Sequence, residues 1–259
     1  MSDSARKMFF YNANAHALSG HFHRPIEHLI DVQAATSLPT DGGFGKARVE
    51  NFRLEELVSF KAAYSYVSGS EQKEKEKTFY TTLATATVEG LNILDVVTAD
   101  RVVARLASSY EFYDEEPRIS LLGSKFENLQ VAGCPVRVEL DHELFLKLDT
   151  FAGVRNEFAS NAEFRKIAED PFQSGEKQKH PEPHGGLLCS MVKDIHTTCP
   201  GIKRRGHGLV VPRFGTVYFA ELLAQHSKRT LTMIRLELGS PVGGTGIVAQ
   251  TSGNGHHIP

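Results

Sequence analysis

The residues in this chain with the clearest chemical potential are His21, His23 and Glu27, in the run HALSGHFHRPIEHLID. Their His-x-His-x-x-x-Glu spacing suits a divalent metal, because on a strand His21 and His23 point to one side and offer two imidazoles to one cation. Pro25 interrupts that strand before Glu27, Gly20 is adjacent to the motif rather than offset from it, and no second motif contributes a further histidine. With 12 histidines in the chain, chance pairs are expected, and hydrogen-bonded structural histidine is the competing reading. His256 and His257, in the terminal GNGHHIP, read as part of a flexible tail.

Paired carboxylates are the next candidates. Asp95 and Asp100 in NILDVVTADR, with Glu89 nearby, could do general acid and base work. The Thr-Ala-Asp run reads instead as a turn, where a short acidic side chain bonds its own backbone. The glycine-rich pieces DGGFGKA, PHGGLL and SPVGGTG lack the spacing of a phosphate loop, and SPVGGTG reads as a hairpin connection. Ser190, in LLCSMV, lacks the flanking glycines of a nucleophile elbow. Lys203, Arg204, Arg205 and His207 form a local basic cluster that reads as an exposed loop, since no aromatics interleave with it.

Composition narrows the classes further. With 29 basic and 31 acidic residues the net charge is -2, which gives no long-range attraction to nucleic acid or to an anionic membrane. The first twenty residues have no sustained apolar core of the kind a signal peptide needs, and no run is long and apolar enough for a transmembrane helix. A mature exported protein would look the same, so the sequence leaves the compartment open. Three cysteines are too few for a disulfide framework. Cys134 reads as a small buried thiol, whereas Cys189 and Cys199 flank a segment short enough to fold back and pair them in an oxidising compartment.

The elements that would position these groups are mostly strands. Phe60, Ala62, Tyr64 and Tyr66 alternate with polar or small residues, as do Val136, Val138 and Leu140, and then Thr232, Ile234, Leu236 and Leu238. Period-two alternation of this kind marks half-buried antiparallel strands. The runs TFYTTLATATV, RVVARLAS, GLVV and GTVYFAELL are rich in β-branched and aromatic residues and bounded by turn formers. The polar run from Glu71 to Lys77 reads as a hairpin tip. Two stretches differ. Phe151, Val154, Phe158, Phe164 and Ile167 recur at helical spacing, with Asn161 placed to cap a second helix, which predicts a helical insertion at about 143–170. A polar, Pro- and Gly-rich loop at about 171–186 follows.

The segments TLATATVEGLNILDVVTADRVVARLASS, SKFENLQVAG, GLVVPRFGTVYFAEL and TMIRLELGS, in that order, resemble bacterial proteins of the choice-of-anchor P family. The resemblance covers roughly residues 78–133 and 208–248. It implies a β-rich fold, export and a surface role, and it brings no catalytic residues.

The expectation is therefore an all-β protein: one β-rich domain over 1–259, built as an antiparallel sandwich or distorted barrel with a small helical insertion. The expected function is a non-enzymatic structural or binding module, self-assembling or surface-associated, with a protein partner or a second copy as the contact and no nucleic acid. No cofactor is called for. The alternative is a metal-dependent, cupin-like enzyme using His21, His23 and Glu27 on a divalent metal, so enzymatic activity stays open with the balance against it.

Overall fold

A computed structural model describes residues 9–25, 27–75, 77–169, 185–226 and 228–257. The alternation read from the sequence becomes two large antiparallel sheets. The first runs in the order β15 (Lys203–Arg205), β16 (Gly208–Val211), β17 (Gly215–Gln225), β18 (Lys228–Leu238), β19 (Gly243–His257), β1 (Phe9–Arg24) and β2 (His28–Gln33). Two more strands join it: β13 (Gly186–Ser190) beside β17, and β3 (Thr36–Ser37) beside β1. The second sheet runs β11 (Cys134–Pro135), β10 (Gln130–Val131), β7 (Val97–Glu111), β6 (Lys77–Ile93), β5 (Val58–Glu74) and β4 (Gly43–Leu54), with β8 (Arg118–Ser120) and β9 (Lys125–Glu127) also on β7. Both sheets are open, so the fold is a sandwich and not a closed barrel.

The inner faces meet in one apolar core. Leu18, Val248, Ile234 and Phe219 from the first sheet are buried with Val67, Ala84, Val102 and Leu106 from the second. Phe219 meets Phe126 of β9 edge-on, with ring centroids 5.8 Å apart. The fully buried Phe219 contributes roughly 1.5–3 kcal/mol relative to an exposed phenylalanine. Gly253 of β19 packs closely on β7: a Cβ there would lie 2.9 Å from Leu106 Cδ2, so that side chain would have to shift.

The helical insertion appears as α1 (His142–Lys147), α2 (Phe151–Ser160) and α3 (Ala162–Glu169). Asp141 and Thr150 cap the first two through their side-chain oxygens. Asn161 accepts from the backbone N–H groups of Glu163 and Phe164, the capping role its sequence position suggested. Phe151, Val154, Phe158 and Phe164 face the core. Most of the polar loop expected at about 171–186 lies outside the described residues, and Gly186 already begins β13.

Three expectations are corrected. The disulfide joins Cys134 to Cys199, while Cys189 is a buried free thiol. The reason is register: a small ladder pairs β12 (Arg137–Leu140) with β14 (Val192–His196), setting Arg137 opposite His196. Three residues further out on each strand, Cys134 meets Cys199, with Cα atoms 5.6 Å apart. Cys189 sits inside β13, where its thiol donates to the Leu222 carbonyl at 3.6 Å and burial pushes its pKa up to about 12. Next, His256 and His257 belong to β19 and pair along the backbone with Phe10 and Phe9, so this segment is strand and not tail. Finally, the turn expected at Thr-Ala-Asp lies earlier, at Leu94 and Asp95 with φ near 55° and 54°, and Asp100 is within β7.

Candidate functional site

The sequence-derived candidates are dispersed. His21 and His23 share one side of β1, with ring centroids 4.2 Å apart, and His21 Nε2 lies 3.2 Å from Glu27 Oε1. Glu27 is largely exposed, and among the described residues no group of three or more His, Cys, Asp or Glu side chains is placed to hold a metal ion. Each of the acidic candidates has a local partner. Asp95 accepts from Asn92 at 2.6 Å, Asp100 from Asn128 at 2.6 Å, and Glu89 from Arg101 at 3.1 Å. The Ser190 hydroxyl is buried and donates to the carbonyls of Phe219 and Ala220.

The groups the structure does bring together lie across β17, β18 and the turn before β16. Along β17 the left-handed Ala220, with φ 48°, interrupts the alternation. Simple period two would send Tyr218 and Glu221 to opposite faces; the break returns both to one face, where Arg235 of β18 meets them together. Arg235 lies over the Tyr218 ring at 4.0 Å and donates twice to Glu221, from Nε at 2.6 Å and Nη2 at 2.8 Å. A second hydrogen bond partner for the same carboxylate comes from His207, whose Nε2 is 2.9 Å from Oε1. Glu237 completes the group, accepting from Arg235 and from the Tyr218 hydroxyl. The strand that follows His207 packs close here, since a Cβ at the neighbouring Gly208 would lie 2.7 Å from the Val217 carbonyl oxygen.

His207 was expected in an exposed basic loop and is instead 4% exposed, as is Glu221. Burial pushes the Glu221 carboxyl up, but the hydrogen bonds from His207 and Arg235, with the charge of the guanidinium, outweigh it and hold the group below its ordinary value. Burial likewise works against the charge on Arg235, and its bonds to Glu221 and Glu237 raise its pKa overall. Glu221 is therefore a carboxylate that can only accept. The His207 ring donates to it through Nε2–H, and Nδ1 is buried with no partner among the described residues.

Beside this cluster lies a cleft of about 440 Å³, lined by His207, Glu163 and Lys166 of α3, Lys193 of β14 and Arg204 of β15. Arg204 is ion-paired with Asp194 and donates through Nε to the Gly206 carbonyl. Among the described residues, no hydroxyl or thiol side chain lines the cleft. On the other side of Arg235 a second groove, of about 490 Å³, runs over β18, β19, β1 and β2 and includes His21. A third, of about 480 Å³, lies along the second sheet between Ser68, Thr81, Arg105 and Arg118.

The remaining exposed feature is an edge. The strands that end the two sheets differ in length: β15, β11 and β2 have three, two and six residues, and β4 has twelve. Phe44, on β4, is 66% exposed. Lys46, Arg48 and Glu50 stand exposed at alternate positions of the same strand, and Arg48 pairs with Glu50 and covers the Tyr64 ring at 5.1 Å. No helix among the described residues is long and apolar enough to cross a membrane.

One family model, described as a domain of unknown function (DUF8256), matches residues 9–180 and, in a second segment, 154–225. No curated protein and no solved structure matches the chain.

Proposed function

We propose, for a chain that belongs to the DUF8256 family, a non-enzymatic structural and binding module that self-assembles by pairing β4 of one copy with β4 of another. The observation that carries this reading is the long uncovered edge of the second sheet. A strand edge presents a row of backbone donors and acceptors, and a second strand can satisfy them. The side chains favour a copy of the same strand. In an antiparallel pair centred on Val49, Arg48 stands opposite Glu50 of the second copy. The same patch faces itself, as a two-fold interface requires.

An exported, surface-associated setting accords with the Cys134–Cys199 disulfide, since such bonds persist in oxidising compartments. The resemblance to choice-of-anchor P proteins implies the same setting. Against catalysis stands the cluster around Glu221, whose polar groups bond one another, with no hydroxyl or thiol among the described residues of the adjoining cleft.

Light scattering on the full chain tests the assembly. Wild-type protein should form a particle of twice the chain mass, Arg48→Glu should dissociate it by opposing like charges, and the exchange Arg48→Glu with Glu50→Arg should restore it. A monomer at every concentration, or a dimer indifferent to Arg48→Glu, overturns the proposal. Elemental analysis addresses the metal-dependent alternative. Stoichiometric metal in tag-free protein, lost in His23→Ala, would replace this reading with an enzyme at His21, His23 and Glu27.

A further inference from the structure

The groove of about 480 Å³ lies on the outer face of the second sheet, and β4 pairing leaves it uncovered, because strands pair through their edges. Ser68 of β5, Thr81 and Leu83 of β6 and Arg105 of β7 line it, with Leu146 of α1 and Arg118 of β8 at its side. Register extends this surface toward β4. One row across the sheet reads Phe44, Ser68, Leu83 and Ala107, and the next reads Lys46, Tyr66, Thr85 and Arg105. Between the rows Val67, Ala84 and Leu106 are buried in the core, so by alternation both rows point away from it. Phe44 and Tyr66, 66% and 41% exposed, put two aromatic rings at the β4 end. The second row crosses three inter-strand gaps, a span of about 14 Å.

Much of the charge on this face is already paired, Arg118 with Asp149, Arg101 with Glu89 and Arg48 with Glu50. Lys46 and Arg105, at the two ends of one row, enter no ion pair among the described residues. In the groove itself the side chains of Ser68, Gln72 and Ser109 have no hydrogen bond among the described residues. We propose that this strip binds an acidic glycan, a short run of sugars carrying uronic carboxylates. The C–H faces of the rings pack on Tyr66 and Phe44, the sugar hydroxyls exchange hydrogen bonds with Ser68, Gln72 and Ser109, and the carboxylates meet Lys46 and Arg105. A peptide suits the floor less well: β5 and β6 are paired on both sides, so they have no backbone groups to offer its main chain. A single-stranded nucleic acid carries a phosphate at every step, against a row whose uncommitted cations stand only at its ends.

Calorimetric titration of the full chain tests the inference, with trigalacturonate, trimannuronate and a hyaluronan tetrasaccharide as acidic probes and cellotriose and maltotriose as neutral ones. At least one acidic probe should bind, about tenfold or more tightly than either neutral probe. Tyr66→Ala and Arg105→Gln, both on the solvent face, should each weaken that binding about tenfold. Lys61→Gln, which removes an exposed cation of β5 outside the two rows, should leave it unchanged. The absence of heat from every acidic probe at millimolar concentration overturns the proposal, and so does a neutral probe that binds as tightly as the acidic ones. An equal loss in Lys61→Gln would mean general attraction to a cationic surface and overturns it as well, as would tighter binding of an oligothymidylate than of every acidic sugar. Particle mass measured on the same samples keeps this site apart from β4 assembly: a monomer that binds an acidic sugar sinks the assembly alone, and a dimer that binds none sinks this inference alone.

Discussion

Two arginines on one strand, Arg229 at the start of β18 and Arg235 six residues on, show what a buried charge needs. Arg229 is 2% exposed and lies at 5.4 Å over the Phe151 ring, donating to the carbonyls of Gln225 and Lys228. Its nearest carboxylate, Glu116, is 3.9 Å away and already accepts from the backbone of Phe151 and Ala152 at the start of α2. Nη2 is left without a hydrogen bond among the described residues, and burial lowers the guanidinium to about 10. Arg235 is less buried and holds Glu221 in bidentate contact, which raises its pKa despite the burial. The lesson is that a counter-ion nearby is not a counter-ion in contact. Glu116 is occupied with capping a helix, while Glu221 accepts from the side chains of Arg235 and His207.

The largest test of that contrast is to remove the acceptor. Glu221→Ala leaves the buried His207 N–H without its acceptor and the Arg235 guanidinium with Glu237 in place of two carboxylates, and the expected loss in urea denaturation is roughly 3 kcal/mol. Replacing both Glu221 and Arg235 with methionine should recover most of it, because a whole pair exchanged for apolar side chains leaves no orphaned charge. Arg229→Met removes a charge that has no bidentate partner and keeps the length of the side chain, so its expected loss is no more than about 1 kcal/mol. A cost at Arg229 equal to that at Glu221 would erase the distinction between the two ends of the strand.

A milder probe of the same site is acid. Glu221 has its folded pKa below the ordinary 4.5, so its contribution is fully present above that value and is lost as pH falls through the lower folded pKa. Stability measured by denaturant midpoint should decline as pH drops below about 4.5, and Glu221→Gln should flatten that decline. An unchanged acid limb in the variant would mean that other carboxylates dominate it.

The strands were legible because alternation runs through most of β5, β6 and β7, which have 17, 17 and 15 residues, and the Asn161 cap because a capping side chain is a local signal. The charged cluster was not, because it depends on where alternation fails. Left-handed Ala220 and Ala249 break β17 and β19, so Tyr218 and Glu221 share a face at a spacing that period two assigns to opposite sides. The available hint was a lone glutamate inside the apolar run GTVYFAELL, which must find a cation if it is buried. His207 was misplaced for a related reason: its neighbours Lys203, Arg204 and Arg205 are basic, but the turn folds the imidazole inward to Glu221. The cysteine pairing was hidden as well, since it follows from the register of β12 with β14, which are 51 residues or more apart along the chain and carry no sequence mark of pairing.

The smallest effect extends the contrast from arginine to histidine. His16 faces the same side of the first sheet as Ser19, whose hydroxyl is 3.4 Å from its Nε2, and no carboxylate contacts it among the described residues. Burial alone lowers its pKa below the ordinary 6.5. The neutral ring is then the form the fold favours, and between the folded pKa and 6.5 the unfolded chain binds more protons. Its contribution is thus present above about pH 6.5 and is lost as pH falls toward the folded value, a window that opens before the one for Glu221. His16→Gln should remove this first, shallow decline and leave the second in place. Loss of both declines together in that variant would show that the two sites unfold as one, and a single protonation would then set the acid limit of the sheet.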